Sequence, residues 1–336
     1  MRTVRNRCSP APTAKLKVCL AFPITGAAMR TVHPSVSPAF ATPPDRIVTS
    51  LAERRRTIIE VIRRAERHLS LSVFRCDDRE VLAALADASG RGVAVDVIMT
   101  ARAKGGRRRL DRARQALERG GARVRSYIDP SVKYHAKYLV ADAGPAIVAT
   151  ANLTRKCFTR TFDAVVVTHD AAVVAGLHEL MAADLAGRAL PTSLTPRLVV
   201  GPEHARRQIE SLIDAARFRI RLIDAKLSDL DIQARLERRR RAGVQVEILD
   251  SNWIGDLKSH GKVMLIDDRI AIIGSMALAP SSLDRRRELA ITVDSPAAVA
   301  SLARVFDAIA THEIQGVPTT PIPPQLVPGA DRHATC

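Results

Sequence analysis

Histidine, lysine and aspartate recur in one fixed spacing at two places in the chain. Residues 134–152 are YHAKYLVADAGPAIVATAN and residues 259–277 are SHGKVMLIDDRIAIIGSMA, so each segment contains His-x-Lys, four residues and then aspartate. The equivalent positions, all 125 residues apart, are His135 and His260, Lys137 and Lys262, and Asp142 and Asp267. Two such triplets in register indicate an internal duplication.

The paired residues have the chemistry needed for reaction at a phosphate. Alternate side chains of a strand point to one face, so His-x-Lys on a strand would present imidazole and ammonium groups side by side. Lysine neutralises non-bridging oxygens, while histidine attacks phosphorus or protonates a leaving oxygen. If the copies meet across a pseudo-two-fold axis, His135, Lys137, His260 and Lys262 form one catalytic site. This chemistry requires no metal or other cofactor.

A second set of polar residues follows the motifs at the same offset. Asp163 and Glu288 are 125 residues apart, and each opens the strand that follows its motif. A carboxylate hydrogen-bonded to imidazole Nδ1 fixes the tautomer and raises basicity, so we expect these two residues to orient the catalytic histidines. We expect Asn152, Thr150 and Ser275 to donate hydrogen bonds to phosphate oxygens.

Apolar patterns outside the motifs repeat as well, and they predict an α/β fold. Apolar positions before the motifs recur at an offset of 151, whereas the motifs recur at 125. The first half therefore contains extra residues before its motif, and we predict that they form an additional helix and strand at about residues 104–128. We expect two tandem homologous α/β/α halves that form one bilobed unit. The predicted segments are a basic, disordered N-terminal extension at 1–44, the first repeat at 45–190, the second repeat at 197–316 and a proline-rich tail at 317–336.

Composition limits the cellular context and the partners. The hydrophobic fraction of 46% is that of a globular protein, and no run of about 18 apolar residues predicts a membrane span. The formal charge of +17 predicts a polyanionic partner, either nucleic acid or an anionic membrane surface. Five cysteines without a C-x2-C pair favour a reducing compartment. Residues 18–28 are a poor export signal, so we expect a cytoplasmic protein. We also expect peripheral contact with an anionic membrane.

Both motifs resemble the paired HKD motifs, H-x-K-x4-D-x6-G-S-x-N, of the phospholipase D superfamily, which includes phospholipases D, cardiolipin synthases and bacterial endonucleases. The resemblance covers residues 45–316. It implies a phosphohistidine intermediate, with His135 as the nucleophile and His260 as the general acid. It also implies that Asp142 and Asp267 are structural. Because both motifs are present, a monomer would contain a complete site.

Departures from the motif leave three functions open. The first copy has Ala149-Thr150 in place of Gly-Ser, and the second has Ala277 in place of asparagine, so only Asn152 supplies an amide. We favour a phosphodiesterase that acts on phospholipid by hydrolysis or transphosphatidylation. An endonuclease is the alternative that the charge supports, although aromatic residues for base stacking make up only 3% of the chain. The third alternative is a degenerate chain that binds nucleic acid or membrane without catalysis.

Overall fold

The computed structural model of the protein describes residues 43–101, 106–191 and 194–311. The proline-rich tail at 317–336, and all but the last two residues of the extension at 1–44, lie outside the described residues. Among the described helices, none combines the length and the apolar character needed to cross a membrane.

The first half contains nine strands and five helices within its described residues. In chain order they are β1 (Arg46–Val48), α1 (Leu51–Arg64), β2 (His68–Val73), α2 (Arg79–Gly90), β3 (Ala94–Met99), α3 (Arg107–Arg119), β4 (Arg123–Ser126), β5 (Lys133–Tyr134), β6 (Tyr138–Ala141), β7 (Ala146–Ala149), α4 (Arg155–Thr159), β8 (Thr161–Phe162), β9 (Val165–Thr168) and α5 (Ala171–Ala186).

The second half contains eight strands and four helices within its described residues. They are β10 (Leu198–Gly201), α6 (Ala205–Ala215), β11 (Arg219–Ile223), α7 (Leu230–Arg241), β12 (Gln245–Leu249), β13 (Trp253–Ile254), β14 (Leu257–Ser259), β15 (Val263–Ile266), β16 (Ile270–Gly274), α8 (Pro280–Asp284), β17 (Arg286–Val293) and α9 (Pro296–Ala310).

The two halves have the same sheet topology, which confirms the duplication. The first sheet has the order β1-β9-β7-β6-β2-β3-β4, and the second has the equivalent order β10-β17-β16-β15-β11-β12. Strand β4 has no equivalent in the second sheet. It follows helix α3, and together they form the extra helix and strand predicted at about residues 104–128. Strand β2 pairs in parallel with β3 and antiparallel with β6. Its counterpart β11 pairs in parallel with β12 and antiparallel with β15.

The central strands of each sheet are buried on both faces because helices or the other half cover them. In strand β6, Val140 faces a core shared between the halves, while its neighbour Leu139 faces a core formed within the first half. The shared core also contains Leu265 and Ile291 of the second half, which has its own outer core around Met264. Strands buried on both faces are expected to be continuously apolar, as these are. The shared core brings the two motifs together.

The His-x-Lys residues themselves do not lie on a regular strand, contrary to the expectation. They form three-residue links between β5 and β6 and between β14 and β15. The cause is that the lead-in strands pair with the opposite half. Strand β5 lies parallel to β17, and β14 lies parallel to β8. Each motif therefore crosses from the other half's strand to its own sheet at the His-x-Lys residues.

The motif aspartates support the sheet rather than the site. Asp142 and Asp267 have positive φ angles of 48° and 53° in the turns after β6 and β15. Each carboxylate accepts hydrogen bonds from three consecutive backbone N–H groups at the start of β2 or β11. These donors belong to Glu66, Arg67 and His68 in the first half, and to Arg217, Phe218 and Arg219 in the second. Each aspartate thus ties the motif hairpin to the neighbouring strand.

Replacement of Asp267 by alanine should lower the free energy of unfolding by about 1–3 kcal/mol, because three N–H groups lose their acceptor. Chemical denaturation measures this change. Asp267→Asn is the control, since asparagine keeps a side-chain oxygen and tolerates positive φ, and it should be clearly less destabilising. Equal losses in both variants would contradict this role.

Candidate active site

His135 is held by a carboxylate from the other half of the chain. Its Nδ1 lies 2.8 Å from Oε2 of Glu288, which is fully buried in β17. Two hydroxyl groups also donate to this carboxylate, Ser275 at 2.5 Å to Oε2 and Ser282 at 2.9 Å to Oε1. Since the carboxylate only accepts, Nδ1 of His135 carries the hydrogen and Nε2 is left with its lone pair.

His260 is held in the reciprocal manner. Its Nδ1 lies 2.7 Å from Oδ1 of Asp163, which is fully buried just before β9 of the first half. The hydroxyls of Thr150 and Thr161 donate to the two carboxylate oxygens at 2.6 and 2.5 Å. A fully buried guanidinium, that of Arg54 in α1, lies 3.4 Å from Oδ2 and donates to the Thr161 carbonyl at 2.7 Å.

The two carboxylates are therefore exchanged between the halves. The exchange follows from the strand pairing, because β5 brings Tyr134 beside Arg287, the residue before Glu288. The backbone N–H of His135 donates to the Arg287 carbonyl at 2.8 Å, which fixes the register. In the reciprocal pairing, the N–H groups of His260 and Gly261 donate to the Phe162 carbonyl, next to Asp163. Neither half could complete a histidine–carboxylate pair alone.

The motif lysines are buried beneath the histidines. Lys137 is 3% exposed and Lys262 is 7% exposed. The Nζ of Lys137 donates to the His135 carbonyl at 2.8 Å and lies 3.2–3.4 Å from the two ring nitrogens. Lys262 donates to the His260 carbonyl in the same way. Each lysine also borders a cavity of about 20 Å³, which has room for a single water molecule.

Burial governs the protonation of these four groups. It lowers the pKa of His135 to about 3, which outweighs the opposing effect of Glu288, and it lowers the pKa of Lys137 to about 7. Burial lowers the pKa values of His260 and Lys262 as well. Each ammonium group also lowers the pKa of the histidine in the opposite half, so the four groups share one electrostatic environment. Both imidazoles are neutral at neutral pH, and an added anion would favour protonation.

The carboxylates remain ionised despite their burial. Burial alone would raise the pKa of Glu288, but His135, Lys137 and the Ser275 hydroxyl together lower it to about 2. For Asp163, the interactions with His260, Arg54 and Thr150 likewise outweigh burial. Both histidines therefore face a negative charge through Nδ1.

The hydroxyl groups of Thr150 and Ser275 differ from their expected role. Both side chains are buried, and their hydroxyl hydrogens point to the carboxylates of Asp163 and Glu288 rather than to a phosphate site. They position the carboxylates that position the histidines. Asn152 is 9% exposed and borders the same small cavity as Lys137, and its Oδ1 has no hydrogen-bond partner among the described residues. Its contact with phosphate stays a prediction.

Three supporting residues were missed by the sequence analysis, namely Arg54, Thr161 and Ser282. A signal for Arg54 did exist. It precedes Ile58 by four residues, so it falls on the apolar face of α1, and its equivalent at an offset of 151 is Ala205. A charged residue at a core position where the repeat has alanine indicates a buried ionic partner.

One group of residues has metal-ligand character but does not fit a metal ion. Cys157, Asp163 and His260 place their ligand atoms within 4.8 Å of one another. The Asp163 carboxylate already accepts two hydroxyl hydrogen bonds and faces Arg54. Burial and the adjacent Asp163 carboxylate raise the pKa of the Cys157 thiol, so it stays protonated. A thiol and an occupied carboxylate are poor ligands for a cation, and metal-independent chemistry remains the prediction.

The fold and the paired His-Lys site together define the phospholipase D superfamily. Residues 58–185 and 198–310 match the family described as "Cardiolipin synthase, PLD-like domain". Since the match covers most of the chain, this protein belongs to that family of PLD-like proteins.

Solved structures show the same fold at low sequence identity. Polyphosphate kinase from Porphyromonas gingivalis matches with a TM-score of 0.62 and 20% identity over 79% of this chain and 50% of that chain. Phosphatidylserine synthase from Haemophilus influenzae Rd KW20 matches with a TM-score of 0.60 and 13% identity over 81% of this chain and 86% of that chain. This chain thus spans about half the length of the polyphosphate kinase and most of the length of the synthase. No curated protein matches the sequence.

Arg54→Met should lower the free energy of unfolding by about 3–5 kcal/mol, because the buried Asp163 carboxylate loses its guanidinium partner. Chemical denaturation tests this, with Arg55→Met as the control. Arg55 is adjacent on α1 and also pairs with carboxylates, but it is 24% exposed, so its loss should cost about 1 kcal/mol or less. The double variant Arg54→Met/Asp163→Asn should recover part of the loss, and failure to recover would contradict the pairing.

Sulfate affinity should fall as the pH rises through about 7, because Lys137 has a pKa of about 7 and loses its charge there. Sulfate is a suitable probe because its own charge is constant in this range. Between pH 6 and pH 8 the charged fraction of Lys137 drops from about nine-tenths to one-tenth, and calorimetry should show about tenfold weaker binding. In Lys137→Arg the guanidinium stays charged, so this pH dependence should be much smaller. An unchanged dependence in that variant would exclude Lys137 as its source.

Proposed function

We propose that this protein is a phosphodiesterase that forms a covalent phosphohistidine at His135, with His260 as the general acid and base. The observation that carries the proposal is the pair of exchanged histidine–carboxylate contacts, 2.8 Å from His135 to Glu288 and 2.7 Å from His260 to Asp163. Each contact uses Nδ1 and leaves Nε2 for chemistry. Two oriented imidazoles with two buried lysines are the components that phosphoryl transfer requires.

The two histidines have different surroundings, and the differences support these roles. The pKa of His135 is lowered to about 3, so the ring is neutral and nucleophilic at neutral pH. Glu288 is bound mainly by hydroxyl groups, and its nearest guanidinium, that of Arg286, lies 4.0 Å away. Its charge is therefore available to stabilise the positive ring that forms on attack. His260 is 26% exposed against 12% for His135, as suits a group that exchanges protons with an entering acceptor.

The reaction proceeds in two balanced steps. Binding of the anionic substrate favours a proton on Nε2 of His260, so that this ring enters the reaction as an imidazolium. In the first step, Nε2 of His135 attacks phosphorus, the bond to the leaving oxygen breaks, and Nε2 of His260 gives that oxygen its proton. In the second, His260 takes a proton from water or an alcohol, whose oxygen attacks phosphorus and breaks the P–N bond. Lys137 and Lys262 stabilise the charge on the non-bridging oxygens in both steps. Water as the acceptor gives hydrolysis, and an alcohol gives transfer.

Phospholipid is the substrate that we favour. The family description names a cardiolipin synthase, and a phosphatidylserine synthase shares the fold. A peripheral contact between this basic chain and an anionic membrane would bring the site to such a substrate. We propose that such contact occurs from the cytoplasm.

A nucleic acid is the second candidate substrate, and one observation favours it. The two cavities that border the motif lysines have room for a water molecule but not for an acyl chain. Four exposed or half-exposed cations lie on the side of His135 instead, namely Arg75, Lys133, Lys226 and Arg286. A non-catalytic binding protein is less well supported, since such a protein would not need both histidines to be oriented by buried carboxylates.

Leaving-group dependence tests the roles of the two histidines. Bis(p-nitrophenyl) phosphate releases nitrophenolate, which leaves without a proton, whereas an alkyl ester requires one. The first-turnover burst of nitrophenolate should survive in His260→Ala, while the rate with an alkyl ester should fall by about 10²–10⁴-fold. His135→Ala should abolish both. A burst that survives in His135→Ala but not in His260→Ala would reverse the assignment.

A further inference from the structure

Cations cluster around one aromatic ring beside His135. The centroid of the Phe74 ring lies 4.6 Å from that of the His135 ring. The guanidinium carbon of Arg75 lies 5.5 Å from the Phe74 centroid, Nζ of Lys133 lies 5.1 Å from it, and Nζ of Lys137 lies 5.7 Å from it. The ammonium groups of Lys133 and Lys137 are therefore at most about 11 Å apart. Phe74 is buried, so this group has a fixed base.

The second half adds two cations to the same place. Arg286 opens β17 and is the register partner of Lys133 in β5, so their backbones are adjacent. Partial burial lowers the pKa of Lys133, and Arg286, Lys226 and Arg75 lower it further, so each of these three charges lies close to Lys133. We call Arg75, Lys133, Lys226 and Arg286 the cation cluster.

The cation cluster has fewer counter-charges than cations, since within the described part of the chain only Asp224, which interacts with Lys226, and Glu288, which interacts with Lys133, oppose it. Among residues 43–101, 106–191 and 194–311, no ion-pair partner is found for Arg75, Lys133 or Lys226. The carboxylate nearest to Arg286 is Glu288 at 4.0 Å, and that group already binds His135. Asp224 likewise already accepts hydrogen bonds from the backbone N–H groups of Leu278 and Lys226. Four cations with two occupied carboxylates still repel one another, so their placement beside Lys137 requires an explanation.

The register pair of Lys133 and Arg286 is not repeated at the equivalent place near His260. The position equivalent to Lys133 is Lys258, but its register partner is Thr161 rather than an arginine. Lys258 also lies opposite the exposed Trp253 on β13. The register pair of two cations, Lys133 and Arg286, therefore has a counterpart with a single cation, Lys258. A general attraction of anions would not need this asymmetry.

We propose that the cation cluster is a second anion subsite, which binds a further phosphate group of the molecule whose phosphodiester is held between His135 and His260. The chemical class of the substrate is thus a molecule with at least two phosphates separated by a short linker. This inference rests on the proposed function for the identity of the first phosphate. The second phosphate neutralises Lys133 and Arg286, whose mutual repulsion the folded protein otherwise retains.

Binding of matched mono- and bisphosphonates tests the subsite without turnover. Calorimetry would compare propylphosphonate with propane-1,3-bisphosphonate. For the wild type we expect at least about tenfold tighter binding of the bisphosphonate, the gain of one charge-assisted contact. Lys133→Gln and Arg75→Gln should each lose most of that gain. Arg109→Gln, which removes the same charge from the exposed face of α3, should retain it.

Equal affinities of the wild type for the two ligands would overturn the subsite, as would a gain that persists in both Lys133→Gln and Arg75→Gln. Turnover of bis(p-nitrophenyl) phosphate is measured in parallel, so loss of the proposed function is visible separately from loss of the subsite.

Two kinetic comparisons then identify the source of the second phosphate. Thymidine 5′-(p-nitrophenyl phosphate) is compared with its 3′-phosphorylated form, and phosphatidylglycerol with its phosphorylated head-group form in mixed micelles. A Lys133-dependent preference for the second phosphate in either pair supports the subsite and names its substrate. No preference in either pair, with turnover intact, overturns it.

Discussion

The whole site depends on two hydrogen bonds that cross between the halves of the chain, from His135 to Glu288 and from His260 to Asp163. A carboxylate can orient an imidazole only if its own position is fixed, and here each carboxylate is fully buried and fixed by hydroxyl groups. Each half supplies the carboxylate that orients the histidine of the other half. The site therefore forms only when the shared apolar core is packed and strands β5 and β14 pair with the opposite half. Duplication in this protein produces one site rather than two.

Burial of these charges is expensive, and the chain offsets it differently in the two copies. Asp163 faces the buried guanidinium of Arg54, whereas the equivalent carboxylate, Glu288, is bound by Ser275 and Ser282. The negative charge of Asp163 is thus balanced by His260 and a buried guanidinium, whereas that of Glu288 is balanced mainly by His135 and Lys137. The cation cluster adds a second asymmetry on the side of His135. Two copies of one motif thus have different surroundings.

Much of this architecture could be predicted from the sequence. The constant offset of 125 residues identified the motif pairs and the two carboxylates. The offset is 151 before the motifs, and the difference between the two offsets correctly predicted the additional elements α3 and β4. The offset could not show which carboxylate serves which histidine, because Asp163 and His135 lie in the same half and nothing local excludes their contact. The exchange results from β5 and β14 pairing with the opposite half, and two-residue strands leave no periodic signal. For the same reason, His-x-Lys was predicted on a strand and instead links two strands.

Nitrogen-15 NMR of the histidine rings tests the exchanged pairing most directly, since the shifts of Nδ1 and Nε2 report the tautomer and its hydrogen bond. In Glu288→Gln the ring of His135 should change its shifts while that of His260 stays close to its wild-type values. In Asp163→Asn the pattern should reverse. If Glu288→Gln instead perturbed His260 and left His135 unchanged, each carboxylate would serve the histidine of its own half, and the shared site described here would be wrong.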